Sequence, residues 1–518
     1  MTIGLRDHAA ARGDDWSLDD GDRRLTWVEE NARTNQLVDG LRSLGLGANS
    51  CLAILGGNRR EWVEAVNAAS RSSMVWVPIN WHFSVDEVAY VLENSGATAI
   101  LADADYGDTA RAAADQAGVG TRIVYNGAIE GFTDYDDLLA ASSPDEPADQ
   151  GLGRPMMYTS GTTGRPKGVV PVVETLGTDI GKRLEMLHAT LSQWGVPTTD
   201  GIAYNGAPLY HAGPFAFGYQ FHAAGSRLIL RRKWDAEDML RLIEQERITT
   251  AYAVPTHFTR LLKLPEETRN RYDLSSLRSV WHTAAPCPPQ IKRRMIEWWG
   301  PVINELYGAS EGGFGGTSFT CTSEEWLAHP GTVGKPNANT EVHILDAEDN
   351  DLGPHEPGRI YVRARSGGDF AYLGDDDKTE SAHLGPAMYS FGDIGYTDDD
   401  GFLYLSDRQI DMIISGGVNI YPAEIEAALA AHDLVVDVSV FGIPDDEFGE
   451  QVKAAVELVD GADDGAAEAV LRSHCREHLA GYMVPRSFDF GPLPRTPTGK
   501  LPKRLLRAQY WEGTGRTI

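Results

Sequence analysis

The sequence predicts an α/β protein with a large N-terminal domain and a small α+β C-terminal domain. From about residue 24 to 345, short apolar runs typical of strands alternate with helical segments, which is the pattern of layered α/β units. After about residue 340 the chain becomes β-rich, and a new unit begins near residue 411. We therefore predict layered α/β subdomains plus a β-rich subdomain over residues 1–408, and an α+β domain over residues 409–518.

The elements of the first domain follow from local patterns. Asp235 is a helix N-cap residue, and apolar residues recur on one face of the segment after it, which predicts a helix over residues 236–246. The segment 132–152, rich in Asp, Ser and Ala, is predicted as a surface loop. Strands are predicted at five apolar runs, CLAILG (51–56), MVWVPIN (74–80), TAILAD (98–103), RLILR (227–231) and TAYAVP (250–255).

The second domain has its own start signal. Pro422 at a first helical position predicts a helix through residue 431, because proline lacks the N–H that this position leaves unpaired. Strands at 435–441 and 452–459, a helix near 466–479 and a basic tail complete the predicted unit.

Composition excludes several classes of function. The 518 residues carry a net charge of −29, which repels nucleic acid and anionic membrane. No apolar run approaches the length of a membrane span, and the first residues lack the features of a signal peptide. The cysteines form no paired motif, so neither a disulfide framework nor a zinc site is indicated. We predict a cytoplasmic protein without integral membrane association, and a homodimer is left open.

One glycine-rich stretch indicates an anion site. In YTSGTTGRPKGV (158–169), glycines allow backbone N–H groups to approach phosphate oxygens, hydroxyl side chains add donors, and Lys167 supplies positive charge. The spacing differs from the Walker-type loop, because Lys167 lies between Pro166 and Gly168, a pair that disfavours a helix. The alternative interpretation is a Gly/Thr hairpin that binds nothing.

Five further motifs accompany this stretch and together identify a family. In their order and spacing, the six motifs resemble the adenylate-forming superfamily of acyl-CoA synthetases, adenylation domains and luciferases, from Trp27 to Arg507. The five are PLYHAGP (208–214), YGASEGG (307–313), YSFGDIGYTDDDGFLYLSDR (389–408), DMIISGGVNIYPAEIE (411–426) and PRTPTGKLPKR (494–504).

The resemblance implies a two-step reaction. A carboxylate attacks the α-phosphate of ATP and releases pyrophosphate, and a thiol then cleaves the acyl-adenylate. The implied cofactors are ATP, Mg²⁺ and coenzyme A, with a small-molecule carboxylic acid as substrate. Fixed donors and a divalent metal would stabilise the charge that develops on the phosphate.

The resemblance also assigns nucleotide-binding residues. Glu311 matches the magnesium-binding glutamate, with Thr159 as a second metal contact, and Asp393 matches the aspartate that binds both ribose hydroxyls. Without this context, Glu311 reads as a solvated loop residue and Asp393 as a turn aspartate. Tyr307 would stack on the adenine, and segment 283–286 would form the facing wall. Phosphate contacts are implied for Thr159, Ser160, Gly161, Thr162, Thr163, Gly164 and Lys167, and other nucleotide contacts for Ala284, Ala285, Tyr307, Gly308, Ser310 and Arg408.

Further residues are assigned to catalysis and to the second step. Lys500 matches the lysine that bridges the reacting carboxylate and the α-phosphate, although by itself it reads as a surface cation in a basic tail. His211 matches an aromatic gate between the acid and the thiol, with a structural histidine as the alternative. Gly416 and Gly417 match the glycines that swing in beside pantetheine, as the small C-terminal domain is mobile in the family. Phe448 matches an aromatic that packs against the CoA adenine, and a core phenylalanine is the alternative.

Two positions depart from common family patterns. Ile410 lies where relatives often carry a hinge Asp or Lys, although rotation needs only backbone torsion. Ala212 lies where amino-acid-activating relatives carry an aspartate, which argues against an α-amino acid substrate. Phe215, Phe217, Tyr219 and the glycines of GGFGG (312–316) instead suggest an apolar acyl pocket.

The sequence is therefore consistent with three functions. The first is an acyl-CoA ligase for a fatty, aromatic or steroid-like acid. The second is an adenylate-forming amide ligase or carrier-protein loading enzyme, in which an amine or a tethered thiol replaces CoA. The third is a catalytically silent nucleotide-binding protein, against which intact Lys500, Glu311 and Asp393 argue.

Overall fold

The structure of the protein is a computed structural model. It describes residues 4–159, 165–172, 185, 187–188, 190–191, 200–313, 316–408, 411–415, 418–445, 447–495 and 501–512. Within these residues the helices are Leu5–Arg12, Trp27–Ser43, Arg60–Arg71, Val85–Ser95, Gly107–Gln116, Tyr135–Ala140, Ala212–Ala223, Ala236–Glu246, Pro255–Leu262, Glu266–Arg269, Pro289–Trp299, Ser323–Ala328, Asp376–Ala382, Pro422–Ala430, Asp464–His478 and Lys503–Trp511. Short 3₁₀ helices lie at Ala104–Tyr106, Ser310–Gly312 and Gly481–Met483.

Two sheets dominate the N-terminal part of the chain. The six-stranded sheet is parallel throughout, in the order Thr133–Asp134, Thr121–Tyr125, Ala99–Asp103, Cys51–Leu55, Val75–Ile79 and Arg154–Pro155. The nine-stranded sheet has a parallel centre and antiparallel edges, in the order Lys335–Pro336, Phe319–Cys321, Ile303–Tyr307, Ser279–His282, Thr250–Ala253, Ile202–Asn205, Arg227–Leu230, Trp16–Asp19 and Arg24–Thr26.

Helices between these two sheets build a shared core. Trp62 of helix Arg60–Arg71 packs with its ring 6.2 Å from that of Trp76 and 6.0 Å from that of Phe215. Phe215 belongs to helix Ala212–Ala223, so one apolar cluster joins both layers. This sheet, helix and sheet layering confirms the predicted α/β class.

Three smaller sheets complete the described chain. One is antiparallel, with strands Phe370–Tyr372, Lys167–Pro171 and Met157–Thr159. A second is antiparallel and five-stranded, with strands Thr340–Leu345, Gly358–Ala364, Met388–Thr397, His383–Gly385 and Leu403–Arg408. The last is mixed, with strands Val418–Ile420, Ile413–Ser415, Gly449–Leu458, Val435–Asp445 and Ser487–Phe490.

Most predicted elements are confirmed, and one is wrong. Asp235 accepts a hydrogen bond from the backbone N–H of Asp238 and caps helix Ala236–Glu246. The predicted loop 132–152 instead contains a short strand and helix Tyr135–Ala140, whose Tyr135, Leu138 and Leu139 are buried. The division at residues 408 and 409 stays a prediction. Among the described residues, no helix is both long and apolar enough to cross a membrane.

Candidate active site

The carboxyl ends of parallel strands bring two of the motifs and the segment 283–286 together. Strands Ile202–Asn205, Thr250–Ala253, Ser279–His282 and Ile303–Tyr307 run parallel in the nine-stranded sheet. The motif 208–214, the segment 283–286 and the motif 307–313 therefore follow strands that end at one edge. Ligands of α/β sheets bind in the crevice outside such an edge.

The predicted phosphate loop connects two strands of the small three-stranded sheet. Met157–Thr159 and Lys167–Pro171 pair antiparallel, with Thr159 opposite Lys167, so both ends of the stretch lie side by side. Strand Lys167–Pro171 also pairs with Phe370–Tyr372, with Val169 opposite Tyr372. The predicted contacts Ser160, Gly161, Thr162, Thr163 and Gly164 lie outside the described residues.

Glu311 and Lys167 share one polar cluster. The Tyr372 hydroxyl donates a 2.9 Å hydrogen bond to Glu311 Oε1, and Lys167 Nζ lies 3.3 Å from Asp375 Oδ2 and 5.6 Å from the centre of the Tyr372 ring. Burial, followed by the nearby Glu311 carboxylate, raises the pKa of Tyr372 well above its usual range. Tyr372 therefore stays a hydrogen-bond donor and fixes one oxygen of Glu311.

This cluster has the chemistry of a magnesium site. Glu311 is half-buried in the 3₁₀ helix Ser310–Gly312, next to Ser310, and carries hard carboxylate oxygens. Magnesium is usually held by one or two carboxylates together with substrate phosphates. One glutamate, the Thr159 hydroxyl and a polyphosphate would therefore suffice, and the residues present fit the ion.

Tyr307 and Asp393 form the predicted nucleoside end of the site. The Tyr307 hydroxyl donates a 2.6 Å hydrogen bond to Asp393 Oδ2, and the Phe391 ring meets the Tyr307 ring edge-on with centres 6.0 Å apart. Asp393 lies opposite Arg408 on neighbouring antiparallel strands, so the two backbone positions are adjacent. The side chain of Arg408 lies outside the described part of the chain.

The predicted adenine wall contains a strained residue. Ala284 has a φ of +79°, a conformation that non-glycine residues rarely adopt and that clusters at ligand sites. It follows strand Ser279–His282, which pairs with Ile303–Tyr307 so that His282 lies opposite Glu305. Ala285 and Gly308 thus continue from adjacent strand ends toward the same crevice.

A buried ion pair lies beneath this wall. Lys292 Nζ donates to Glu305 Oε2 at 2.5 Å, and His282 Nε2 lies 3.5 Å from the same oxygen. All three side chains are buried. Burial raises the pKa of Glu305, while the Lys292 ammonium opposes that shift. Burial lowers the pKa of His282, so the imidazole is neutral.

His211 lies at the start of helix Ala212–Ala223. It is the N-cap residue, and its ring centre lies 4.3 Å from that of Tyr210. A Cβ at Gly213 would come within 2.8 Å of the Tyr252 hydroxyl and 3.1 Å of Thr283 Cγ2. This close approach brings the helix start against the segment 283–286.

The predicted acyl pocket residues are more deeply buried than the sequence suggests. Phe217 is buried and stacks with its ring centre 5.6 Å from that of Tyr252 and 5.5 Å from that of Trp281. The Tyr219 hydroxyl donates to Asn67 Oδ1 at 2.8 Å. Ala212 packs half-buried against the same apolar cluster.

The C-terminal candidates are only partly described. Lys500, Gly416 and Gly417 lie outside the described residues, although Ser415 pairs with Val418 on either side of the two glycines. Phe448 is half-buried rather than part of the core, with the Arg486 guanidinium 4.5 Å from its ring centre. Arg486 also pairs with Asp445 at 3.2 Å.

Sequence reasoning missed the partners of these residues. Tyr372 lies 61 residues from Glu311, and Asp375 and Lys378 belong to the DDDK run that begins helix Asp376–Ala382. A run of acids at a helix start is expected for capping alone. Sequence therefore gave no signal for a role in the site.

Comparison with known proteins places the chain in a family. Residues 5–367 match the AMP-binding enzyme family, and residues 424–500 match the AMP-binding enzyme C-terminal domain. The chain therefore belongs to the AMP-binding enzymes, in the acyl-CoA ligase branch of the adenylate-forming superfamily.

Individual relatives match over nearly the whole chain. The medium/long-chain-fatty-acid–CoA ligase FadD8 of Mycobacterium tuberculosis is 30% identical, covering 96% of this chain and 88% of the relative. Feruloyl-CoA synthase of Amycolatopsis sp is 32% identical, covering 95% of each. The structure of o-succinylbenzoate CoA synthetase (MenE) from Bacillus subtilis, in complex with its acyl-adenylate intermediate, matches with a TM-score of 0.78 and 27% identity, covering 97% of each chain. These findings confirm the predicted family and fold class.

Proposed function

We propose that this enzyme uses ATP to activate an apolar carboxylic acid and then transfers the acyl group to coenzyme A. Two hydrogen bonds are the main support for this proposal. Tyr307 donates to Asp393, and Glu311, four residues after Tyr307, accepts from Tyr372. The motif 307–313 therefore contacts Asp393, a carboxylate suited to ribose hydroxyls, through Tyr307. The same motif carries Glu311, a carboxylate suited to a metal. Lys167 adds a cation beside the second carboxylate.

In the first step, a carboxylate oxygen of the acid attacks the α-phosphorus of ATP, and pyrophosphate leaves. Asp393 would fix the ribose, the strained wall at Ala284 would confine the adenine, and Lys167 would neutralise the leaving phosphates. Lys500 would bridge the reacting carboxylate and the α-phosphate. A magnesium ion held by Glu311 and Thr159 would supply further positive charge at the phosphate oxygens.

In the second step, the thiol sulfur of coenzyme A attacks the acyl carbon, and AMP leaves. Gly416 and Gly417 would line the path of the pantetheine arm, where the missing side chains leave room. His211 would separate this path from the acid, as its position at the helix start supports. Phe448 would pack against the CoA adenine, since its ring is half-buried rather than enclosed in the core and already carries the Arg486 guanidinium 4.5 Å from its centre.

The acid is proposed to lack a charged group near its carboxylate. Ala212 occupies the first turn of helix Ala212–Ala223 and packs against apolar neighbours, so it offers no partner for a substrate amine. These neighbours include Phe217, which stacks on Tyr252 and on Trp281 in the same apolar cluster. A fatty, aromatic or steroid-like acid fits these surroundings.

We also propose a cytoplasmic location, which the free thiols of the four cysteines support.

Product analysis with different acceptors tests the proposal. The enzyme is supplied with ATP, Mg²⁺ and a panel of fatty, aromatic and steroid acids, and products are identified by mass spectrometry. We expect AMP and an acyl-CoA thioester when coenzyme A is present. Amides formed from added amines, with coenzyme A ignored, would instead establish the amide ligase. Acylation of a carrier protein in place of coenzyme A would establish the carrier-protein loading enzyme.

A further inference from the structure

Two lysines from distant parts of the chain meet beside Glu311. Lys167 begins strand Lys167–Pro171, and Lys378 lies in the first turn of helix Asp376–Ala382. Asp375 connects the two residues, because its Oδ1 accepts from the backbone N–H of Lys378 at 3.2 Å and its Oδ2 lies 3.3 Å from Lys167 Nζ. Burial, followed by the Lys167 ammonium, lowers the pKa of Lys378. Like charges held together in this way favour the binding of an anion between them.

The surrounding chain holds Lys378 in this place. Asp375 caps the helix by accepting from the backbone N–H of Lys378 at 3.2 Å. The Thr379 hydroxyl donates to the Asp375 carbonyl and accepts from the backbone N–H of Tyr372, both at 2.9 Å. The helix start is therefore fixed to the residue that orients Glu311. A cation in a first helical turn opposes the helix dipole, so helix stability does not explain a lysine at this position.

Asp375 already occupies part of the space that an anion would use. Its carboxylate lies 3.3 Å from Lys167 Nζ while it caps the helix that carries Lys378. The four charged groups, Lys167, Lys378, Asp375 and Glu311, sum to zero. A phosphate group that displaced the Asp375 carboxylate from Lys167 would contact both ammonium groups, each of which suits phosphate as a compact point charge.

We propose that Lys378 is a second polyphosphate-binding residue, and that Asp375 is the carboxylate that the phosphate displaces from Lys167. Together, the two lysines hold the pyrophosphate part of ATP and the pyrophosphate product. This proposal rests on the proposed function, because it takes the cluster around Glu311 to be the phosphate end of the site.

Binding of the two ATP fragments to the intact protein tests the proposal. Calorimetry measures pyrophosphate and AMP affinities separately, with Mg²⁺ present, for the wild type, Lys378→Gln and Lys378→Arg. We expect Lys378→Gln to bind pyrophosphate about tenfold more weakly, since one charge-assisted contact is lost, while AMP affinity changes less than twofold. Lys378→Arg keeps the charge and restores most of the affinity.

Two further variants sharpen the comparison. Lys263→Gln removes an exposed lysine at the end of helix Pro255–Leu262 and serves as the matched control, with wild-type affinity expected. Asp375→Asn keeps a capping side chain but removes the competing charge, so pyrophosphate binding is expected to be equal or tighter. Thermal unfolding of each variant verifies that it is folded.

Several outcomes would overturn the proposal. Unchanged pyrophosphate affinity in Lys378→Gln, or equal loss of AMP and pyrophosphate, would show that Lys378 does not contact the polyphosphate. Weaker pyrophosphate binding in Asp375→Asn would contradict the displacement. If pyrophosphate binding depends on Lys378 but no acid-dependent AMP forms, the phosphate site stands and the proposed function fails. If the wild type binds neither fragment, both fail.

Discussion

Tyr307 and Asp393 are joined by a 2.6 Å hydrogen bond although 86 residues separate them in the chain. Tyr307 ends a strand of the nine-stranded sheet, whereas Asp393 lies in the five-stranded antiparallel sheet. The bond therefore ties the predicted adenine-stacking ring to the predicted ribose-binding carboxylate across two sheets. It orders both groups before a nucleotide arrives, which lowers the entropy lost on binding.

Tyr307→Phe is expected to weaken ATP binding about tenfold while leaving the fold intact. The ring and its stacking surface remain, but Asp393 loses a donor, and a hydrogen bond to a charged group contributes about 1.5–3 kcal/mol. Because Tyr307 and Asp393 are both half-buried, we expect an effect at the low end of that range. Equilibrium nucleotide binding measures it.

Tyr404→Phe is the matched control for this variant. The Tyr404 hydroxyl donates to Asp398 at 3.2 Å. This bond lies near the turn between strands Met388–Thr397 and Leu403–Arg408, away from the predicted nucleoside end. It should bind ATP as the wild type does. Wild-type affinity in Tyr307→Phe as well would show that the Tyr307–Asp393 bond does not order the site.

Lys292→Met is expected to destabilise the protein by about 3–5 kcal/mol, because it leaves the buried Glu305 carboxylate without its partner. The double variant Lys292→Met with Glu305→Gln should recover much of that loss, since no buried charge remains. Chemical denaturation of the three proteins measures the difference. Equal stability of the single variant and the wild type would mean that the pair beneath the adenine wall is not a structural ion pair.

The buried Glu30–His222 pair predicts how stability depends on pH. His222 Nε2 lies 2.8 Å from Glu30 Oε1. Burial alone would lower the pKa of His222, but the Glu30 carboxylate outweighs it and raises the pKa above 6.5. Burial alone would raise the pKa of Glu30, but His222 outweighs it and lowers the pKa below 4.5.

These two shifts set a pH window. The His222 contribution is full below pH 6.5 and is lost as the pH rises through the folded pKa. The Glu30 contribution is full above pH 4.5 and is lost as the pH falls through its lowered pKa. Thermal midpoints measured upward from pH 6.5 should therefore fall in the wild type. The double variant Glu30→Gln with His222→Phe should lack this component, and an identical decline in both proteins would contradict the assignment.

Ala212→Asp is expected to lower activity on apolar acids at least tenfold. An unpaired carboxylate beside the substrate carboxylate is both desolvated and repelled. An acid in a first helical turn favours the helix, so the fold should survive. Ala212→Ser is the uncharged control, and kcat/KM for one good acid compares them. Full activity in Ala212→Asp would place residue 212 outside the pocket and remove the argument against amino acid substrates.

The strands were largely predictable because parallel strands are buried on both faces and read as continuous apolar runs. The run 51–56, for example, contains strand Cys51–Leu55, and all five of its side chains are buried. The loop predicted for segment 132–152 was wrong because its polar residues hide a buried helix face. Asp134, Asp136 and Asp137 suggest a solvated loop, although Asp134 caps a helix whose other face is buried.

The candidate site was predictable only where residues belong to family motifs. Glu311 and Asp393 follow from the resemblance, but their partners arise from tertiary folding. Tyr372 reaches Glu311 because strand Phe370–Tyr372 pairs with the strand that begins at Lys167. Sequence spacing carries no information on such a pairing, since contacts between distant strands are set by the whole sheet.

Exchange of labelled pyrophosphate into ATP tests the central claim most directly. If the enzyme forms an acyl-adenylate, exchange should require the carboxylic acid, proceed without coenzyme A, and fall by roughly two to three orders of magnitude in Lys500→Ala, since one fixed charge at the transition state is lost. Exchange that is absent with every acid, or release of ADP and phosphate in place of AMP and pyrophosphate, would contradict the proposed reaction.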